Sequence, residues 1–309
     1  MQPQQDKPAI KHRLHVRQRC VSSALSPTAV SDTSSVLSDV VDAMTDWDVA
    51  CRHQARTLSF KSTPGYGLHL FVNYRTPLRW TWQFESRVYR RSEHRHFAAI
   101  LQAGVITSLP RGPLGIVGVR LKPESTTRLV GERLRYFLGA VIGLDDLFGA
   151  SRVSLLEEKL AEATTSAERF SHMRTFLLSN LRPRQTESAA SRAAGLLRRD
   201  PRLRVSQLAA RLAVSERHLC GDFSAMFGMG PKQFARLVRI DRVLSARVHG
   251  ATWADIACAT GFTDQAHLIH DFRAIAGVSP AELSRQITLS QGSLVPSATS
   301  SPGFVRSAR

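Results

Sequence analysis

A pattern that occurs twice in the last third of the chain constrains its fold more than any other feature. In each copy, a short helical stretch leads through a turn into a second helix, which stops at a glycine shortly before a proline. The copies are SQLAARLAVSERHLCGDFSAMFGMGP at 206–231 and ADIACATGFTDQAHLIHDFRAIAGVSP at 254–280. Pro231 also opens a longer helical stretch that joins them, since proline suits the first position of a helix. Apolar residues recur with helical spacing, so this region is predicted to be all-α.

The second copy carries the clearer local signals. Gly261 is predicted to take the left-handed backbone that ends a helix, and Thr263 to cap the next helix through its hydroxyl. From there Leu268, Phe272 and Ile275 recur at i, i+4 and i+7 and form one buried stripe. The opposite face carries hydrogen-bonding side chains. A short helix, a glycine turn and a second helix with a polar outer face are the build of a helix-turn-helix DNA reader.

The run GFTDQAHLIHDFRAIAGVSP closely resembles the C-terminal signature of the AraC/XylS-type transcriptional regulators. The resemblance covers roughly residues 185–288, including both units and the joining helix. It implies a bilobed domain whose two reading helices enter successive major grooves, about 34 Å apart, from one face of the DNA. A looser resemblance links GIVGVRLKPESTTRLVG and LDDLFG to the N-terminal domain of one subgroup of these regulators.

The resemblance also implies roles for individual side chains. Base-reading residues are expected near the start of each reading helix, at Glu216, Arg217, Cys220, Gln265, Ala266, His267 and His270. Phosphate contacts are expected from Arg211, Lys232, Arg236, Arg239 and Arg273. Many family members carry arginine where this chain has Gly221 and His270, and Asp222 adds a negative charge to the first reading helix. The second unit is therefore expected to provide most of the sequence discrimination.

The charge balance agrees with an anionic partner. The 309-residue chain has 42 Lys and Arg against 25 Asp and Glu, a formal net charge of +17. Because an arginine-rich composition can also reflect the genome, charge alone leaves nucleic acid, a membrane surface and an acidic ligand open. No apolar run reaches the roughly 18 residues of a membrane span, and the basic first 25 residues lack the apolar core of a secretory signal.

The cysteines give no sign of a metal site or a disulfide framework. Cys20, Cys51, Cys220 and Cys258 are scattered and form no C-x-x-C pair, which fits a reducing cytoplasm. His267 and His270 lack a third ligand at a suitable place. No cofactor, no metal and no catalytic residue are therefore expected, and the protein is predicted to be cytoplasmic.

The predicted fold class is α+β, with a β-rich N-terminal regulatory domain ahead of the all-α bilobed one. Short β-prone runs between residues 58 and 122 indicate a small antiparallel sandwich or barrel, with Ala103-Gly104 in a hairpin turn, and helices follow over 124–182. The predicted boundaries are a disordered leader at 1–45, a regulatory domain at 46–182, the DNA-binding domain at 183–288 and a disordered tail at 289–309. A start at Met44 is the alternative to a leader.

Two groups of residues in the β region have alternative interpretations. Trp80 and Trp82, with Tyr74 and Tyr89, either line a ligand pocket or belong to the strand core. The pair within His94-Arg95-His96 either shares a strand face as metal ligands or lies in a solvated loop.

These observations predict a sequence-specific DNA-binding transcription regulator, not an enzyme, that is switched by a signal at its N-terminal domain. Activation is the commoner output in the family. Double-stranded DNA is the expected partner, with RNA polymerase, a small-molecule effector and a second copy of the chain as further candidates, and no membrane. A non-specific architectural DNA binder is the first alternative. A DNA-targeted enzyme is the second, although the sequence carries no nucleophile-base pattern and no glycine-rich phosphate loop.

Overall fold

The computed structural model describes residues 28–30, 37–84, 87–91, 95–131, 141–183, 187–248 and 251–289. Its strands are β1 (Thr28–Val30), β2 (Val41–Val49), β3 (Phe60–Ser62), β4 (His69–Asn73), β5 (Arg79–Phe84), β6 (Arg87–Arg91), β7 (His96–Ala99), β8 (Val105–Leu109), β9 (Leu114–Leu121) and β10 (Val141–Gly143). They form one sheet in the order β1-β2-β9-β4-β7-β10 and a second in the order β3-β8-β5-β6. Neighbouring strands are antiparallel in both sheets.

The two sheets pack face to face around an aromatic and aliphatic cluster. Trp47 and Phe71 of the larger sheet meet Phe60 of the smaller one, and the rings of Trp47 and Phe60 lie edge to face at 4.8 Å. The opposite face of the larger sheet buries Leu70 and Val119 against helices. Because both faces of β9 are covered, its sequence LGIVGVRL is buried along its whole length, as a near-continuous apolar run predicts. The α+β sandwich expected from the sequence is confirmed.

Helices dominate the chain after β9. Those of the N-terminal part are α1 (Arg52–Thr57), α2 (Thr127–Val130), α3 (Leu144–Phe148), α4 (Ala150–Glu162) and α5 (Ser166–Asn180), with a short 3₁₀ turn at Pro123–Ser125. Those of the C-terminal part are α6 (Ala189–Arg199), α7 (Val205–Leu212), α8 (Glu216–Phe227), α9 (Pro231–Val248), α10 (Trp253–Thr260), α11 (Gln265–Ala276) and α12 (Pro280–Leu289). The pairs α7–α8 and α10–α11 are the two predicted helix-turn-helix units, and α9 joins them.

The glycines and apolar stripes of the repeats behave as expected. Gly228, Gly261 and Gly277 adopt φ values of 63°, 82° and 76° and end α8, α10 and α11. One apolar cluster extends from the larger sheet through α5 and α6 to Phe234 of α9 and Phe272 of α11. The predicted division at residue 183 falls between α5 and α6, and it stays a prediction because this cluster is continuous across it.

One boundary and one turn expected in the N-terminal half differ from the structure. The leader was expected to extend to residue 45, yet β2 begins at Val41, and Val40 and Met44 are fully buried. Ala103-Gly104 does not form a hairpin turn, because β7 and β8 belong to different sheets. The strand β2 was hard to recognise because it contains buried acidic residues, whose partners are described below. Residues 1–27 and 31–36 of the predicted leader lie outside the part that the structure describes. The same holds for positions 290–309 of the tail.

Candidate nucleic-acid interface

The second reading helix, α11, begins with a side-chain cap. The Asp264 carboxylate accepts a hydrogen bond from the His267 backbone N–H at 2.7 Å. The sequence predicted Thr263 as the cap, but its hydroxyl instead lies 3.4 Å from Nδ1 of the His267 ring. The prediction was wrong by one residue, and a carboxylate suits this position because the helix dipole favours negative charge at an N-terminus.

The outer face of α11 is open. Gln265, Ala266, His267 and His270, the four residues expected to read bases, are all exposed. This face borders a concave region of about 600 Å³ lined by Ala266, Ile269, His270, Arg273, Ala274 and Gly277. The His267 ring packs edge-on against Phe262 at 5.4 Å, which fixes one reading side chain against the turn that precedes the helix. The arrangement leaves donors and acceptors available to a partner without rearranging the core.

The first reading helix, α8, presents a different chemistry. Ser215 caps it by accepting a hydrogen bond from the His218 backbone N–H at 3.1 Å. Glu216 and Arg217 are exposed at its start, whereas Cys220 is half-buried. Asp222 lies 3.3 Å from the His218 ring one turn earlier, so part of its charge is directed within the helix. Two carboxylates, those of Glu216 and Asp222, therefore lie on or beside this surface, and the expectation that the second unit discriminates stays a prediction.

The five residues expected to contact phosphates fall into two groups. Arg211, Lys232 and Arg273 are exposed. Arg236 and Arg239 of α9 instead converge on the carboxylate of one residue in α11, Asp271, whose side chain is 10% exposed. The structure therefore gives these two arginines an acidic partner inside the domain, and their phosphate role stays a prediction.

The Asp271 cluster was not recognised from the sequence. The carboxylate Oδ1 of Asp271 accepts hydrogen bonds from Nε and Nη2 of Arg236 at 2.8 and 2.5 Å. Nη2 of Arg239 lies 3.5 Å from Oδ2, and its guanidinium stacks 4.8 Å over the Phe262 ring. Burial lowers the pKa of Arg239, and the Asp271 charge opposes that effect. The spacing of two arginines one turn apart on α9 was the only available signal.

A second ionic cluster joins the sheet domain to the C-terminal helices. Arg120 of β9 bridges Asp42 of β2 at 2.7 Å and Asp241 of α9 at 3.1 Å. Arg198 of α6 bridges Asp42 at 3.0 Å and Glu124 of the 3₁₀ turn at 2.5 Å. Asp42, Arg120 and Asp241 are each at least 87% buried at the side chain, so the cluster lies inside the molecule rather than on its rim.

Neutral groups pack around this cluster. Burial lowers the pKa of His69 to about 3, and burial raises the pKa of Tyr66 to about 12, so both are uncharged near neutral pH. Burial also raises the pKa of Asp241, while the neighbouring Arg120 lowers it. The Tyr66 ring lies 5.5 Å from that of Phe234 in α9. Both apolar packing and ion pairs therefore hold α9 against the sheet domain.

A backbone hydrogen bond links the sheet domain to the end of α11. Gly104, at φ 76°, donates its N–H to the carbonyl of Ile275 at 2.9 Å. The carbonyls of the last turn of a helix lack partners within the helix, so this contact satisfies one of them from outside. The segment that connects β7 to β8 therefore contacts the last turn of α11, the reading helix of the second unit.

The described candidate residues of the β region are packed inside the domain, and the choice between a ligand pocket and strand core for the four aromatic residues stays open. His96 is the first residue of β7, and its Nε2 lies 2.9 Å from Glu157 of α4, so it belongs neither to a solvated loop nor to a metal pair with a described partner. Trp80 and Tyr74 are buried, and the Tyr74 hydroxyl donates to Asp46 at 2.7 Å. The side chains of Trp82 and Tyr89, and residue His94, lie outside the described part. Across the described ranges, no three His, Cys, Asp or Glu side chains are placed to hold a metal ion.

Comparison with known proteins identifies the C-terminal part. Residues 208–286 match the family model described as a helix-turn-helix domain, a range that contains α8 to α11 complete. This part of the chain is a helix-turn-helix DNA-binding domain of the AraC type, as its sequence predicted. This domain makes the protein a DNA-binding transcription regulator. None of the helices in the described ranges is long and apolar enough to cross a membrane.

Comparison with solved structures finds likeness to several regulators. ToxT from Vibrio cholerae O395 is 13% identical, and the likeness covers 79% of this chain and 97% of that one with a TM-score of 0.45. A DNA-binding transcriptional dual regulator from Escherichia coli K-12 is 18% identical over 34% of this chain and 97% of its own, with a TM-score of 0.31. The AraC-like transcriptional activator CuxR is 17% identical over 71% and 81%, with a TM-score of 0.24. No curated protein sequence matches the chain significantly.

Proposed function

We propose that this protein is a sequence-specific transcription regulator whose sheet domain controls how α8 and α11 are presented to DNA. The observation that carries the proposal is the buried ion pair between Arg120 of β9 and Asp241 of α9. Helix α9 is the connection between the two reading units, so a residue of the central sheet strand is bonded to the element that sets their spacing.

The dimensions of α9 support reading by both units of one chain. It has 18 residues, which corresponds to about 27 Å at 1.5 Å per residue. Successive major-groove segments on one face of a duplex are roughly 34 Å apart. A joining helix of this length, with α8 before it and the α10–α11 unit after it, is comparable in length to the separation of two adjacent groove segments.

The two faces of α9 carry different connections. Asp241 reaches the sheet domain through Arg120, whereas Arg236 and Arg239 reach α11 through Asp271. Asp241 is two residues after Arg239, or about 200° around a helix at 3.6 residues per turn. A displacement of β9 would therefore be passed to the reading helix through α9. The Gly104 contact with Ile275 supports a second route between the same two parts.

The source of the signal forms a further part of the proposal. On the strength of the sequence resemblance, we propose a small-molecule effector that acts on the sheet domain, with RNA polymerase and a second copy of the chain as protein partners. An effector that binds the sheet domain should change the affinity for DNA and, by reciprocity, DNA should change the affinity for the effector by the same factor.

The test of sequence specificity uses the full chain. Duplexes selected from a random library by the protein would be compared with shuffled versions of the same duplexes by fluorescence anisotropy at about 150 mM salt. A specific regulator should bind the selected duplex at least about a thousandfold more tightly. Equal affinity for the two duplexes, with strong dependence on salt, would favour the architectural DNA binder instead.

A further inference from the structure

Asp271 is an unusual residue for the place it occupies. It lies in the reading helix α11 with 7% of its surface exposed, and two arginines of the joining helix surround it. Burial of a carboxylate is costly unless it is paired and hydrogen-bonded. Both nitrogens that Arg236 directs to Asp271 bond to the same oxygen, Oδ1, and Arg239 approaches Oδ2. The carboxylate therefore engages both cations at once.

The position of Asp271 in α11 places this cluster beside the reading face. It directly follows His270 and lies one turn after His267, both of which are exposed. On its other side it precedes the fully buried Phe272. Asp271 thus occupies the boundary between the surface offered to DNA and the core. The arginines that reach it from α9 arrive at the edge of that surface.

Arg236 and Arg239 are less exposed than the other expected phosphate-contacting residues, Arg211, Lys232 and Arg273. The side chain of Arg236 is 33% exposed and that of Arg239 is 18% exposed. Arg239 also stacks on the ring of Phe262, the residue that enters the core just before α11. Removing the carboxylate charge would leave two cations at the edge of the reading face without their acidic partner. A nearby phosphate would be the natural replacement, because guanidinium groups bind carboxylate and phosphate with similar geometry.

We propose that Asp271 is a specificity-determining positioning residue. It fixes the orientation of α11 against α9, and it holds Arg236 and Arg239 away from the DNA backbone, where they would add affinity for any sequence. The inference rests on the proposed function, in that α11 must read DNA. It also changes the role of the two arginines from phosphate contacts to internal braces.

The first experiment replaces Asp271 with asparagine in the full chain, which preserves size but removes the charge. Affinity for a selected duplex and for its shuffled version would be measured by anisotropy from about 50 to 300 mM salt. Each new phosphate contact steepens the slope of log K against log salt by about 0.9. We expect Asp271→Asn to bind the shuffled duplex more tightly, with a slope steeper by about 1 to 2, and to lose at least tenfold in the ratio of selected to shuffled affinity.

Asp255→Asn is the matched control. Asp255 lies in α10 of the same unit, is exposed, and hydrogen-bonds to Thr252 at the helix start. Like Asp271→Asn, this replacement removes one negative charge from the second unit, but it keeps the carboxylate that holds Arg236 and Arg239. We expect its salt slope to stay within about 0.3 of the wild-type slope on the shuffled duplex. A slope as steep as that of Asp271→Asn would show that net charge alone is responsible, which overturns the proposal.

A second variant decides the matter even if Asp271→Asn does not fold. In Arg236→Gln/Arg239→Gln, the arginines are removed and the carboxylate stays. If they are internal braces, the salt slope on the shuffled duplex is unchanged, whereas phosphate contacts would flatten it by about 1 to 2 and overturn the proposal. A wild-type protein that does not distinguish the two duplexes would refute the proposed function, and the slopes on the shuffled duplex would still decide about Asp271.

Discussion

Replacement of Arg120 by methionine tests the link between the sheet domain and α9. Methionine fills much of the space of the arginine stem but offers no charge, so Asp241 loses the ion pair at 3.1 Å, while Asp42 keeps Arg198 at 3.0 Å. Breaking a buried pair by removing one partner typically costs about 3–5 kcal/mol, because the remaining charge stays buried while it loses the cation that compensated it most closely. At about 2–4 °C per kcal/mol for a protein of this size, the melting temperature should fall by roughly 6–20 °C.

The pKa of Asp241 determines how the loss of stability in Arg120→Met depends on pH. Burial raises the pKa of Asp241 in the folded protein, and Arg120 lowers it. Removing Arg120 should therefore raise that pKa further. An acid with a raised pKa binds a proton in the folded state before the unfolded state does, so stability falls as pH rises through the interval between the two values. The loss caused by Arg120→Met should be largest near neutral pH and should shrink as the pH is lowered and Asp241 becomes neutral.

Thermal unfolding followed by circular dichroism at several pH values between about 4.5 and 7.5 would measure these losses. The double variant Arg120→Met/Asp241→Leu is the control, since it removes both charges from the pair. We expect the double variant to recover about 2 kcal/mol or more relative to the sum of the single losses, as coupled neighbours do. A loss below about 1 kcal/mol, a loss independent of pH, or simple additivity would refute the view that this pair is a substantial connection.

Three further predictions concern the reading units and the core. His270→Ala should weaken binding to a selected duplex by about 1–3 kcal/mol, more than Glu216→Ala does, and equal losses in an anisotropy titration would count against this. Phe234→Ala should cost about 3–5 kcal/mol in a denaturant titration, because the ring is fully buried among aromatic neighbours. Asp264→Ala should cost about 1 kcal/mol through loss of the α11 cap, whereas Thr263→Ala should have little effect on the denaturation midpoint.

The C-terminal domain was predictable from its sequence because its signals are local. Gly228, Gly261 and Gly277 adopt the left-handed backbone that ends a helix, and Ser215 and Thr252 cap the helices expected to follow them. These signals depend on residues only a few positions apart. They fixed the order and approximate bounds of α7 to α12, and only the cap of α11 was assigned one residue too early.

The parts that could not be predicted depend on partners distant in sequence. Asp46 is polar enough to suggest a loop, yet it is buried against Arg169, which lies 123 residues later. Asp42 is likewise buried between Arg120 and Arg198. Because a buried carboxylate is recognisable only together with its cation, the first part of the strand that carries both, up to residue 45, was interpreted as part of a polar leader. The same reason hid the role of Asp271, whose arginines lie on another helix.

The Gly104 contact makes the two reading helices unequal. In the part of the chain that the structure describes, the sheet domain donates a backbone hydrogen bond to the end of α11, while the backbone bonds recorded at the ends of α8 stay within the C-terminal part. A change in the sheet domain that acts through this bond would reach α11 directly, whereas it would reach α8 only through α9. The contribution of α11 to binding should then change more than that of α8, so that the affinity for a site is graded rather than lost. Base changes in the two halves of the site should accordingly differ in how strongly they affect the response to a signal.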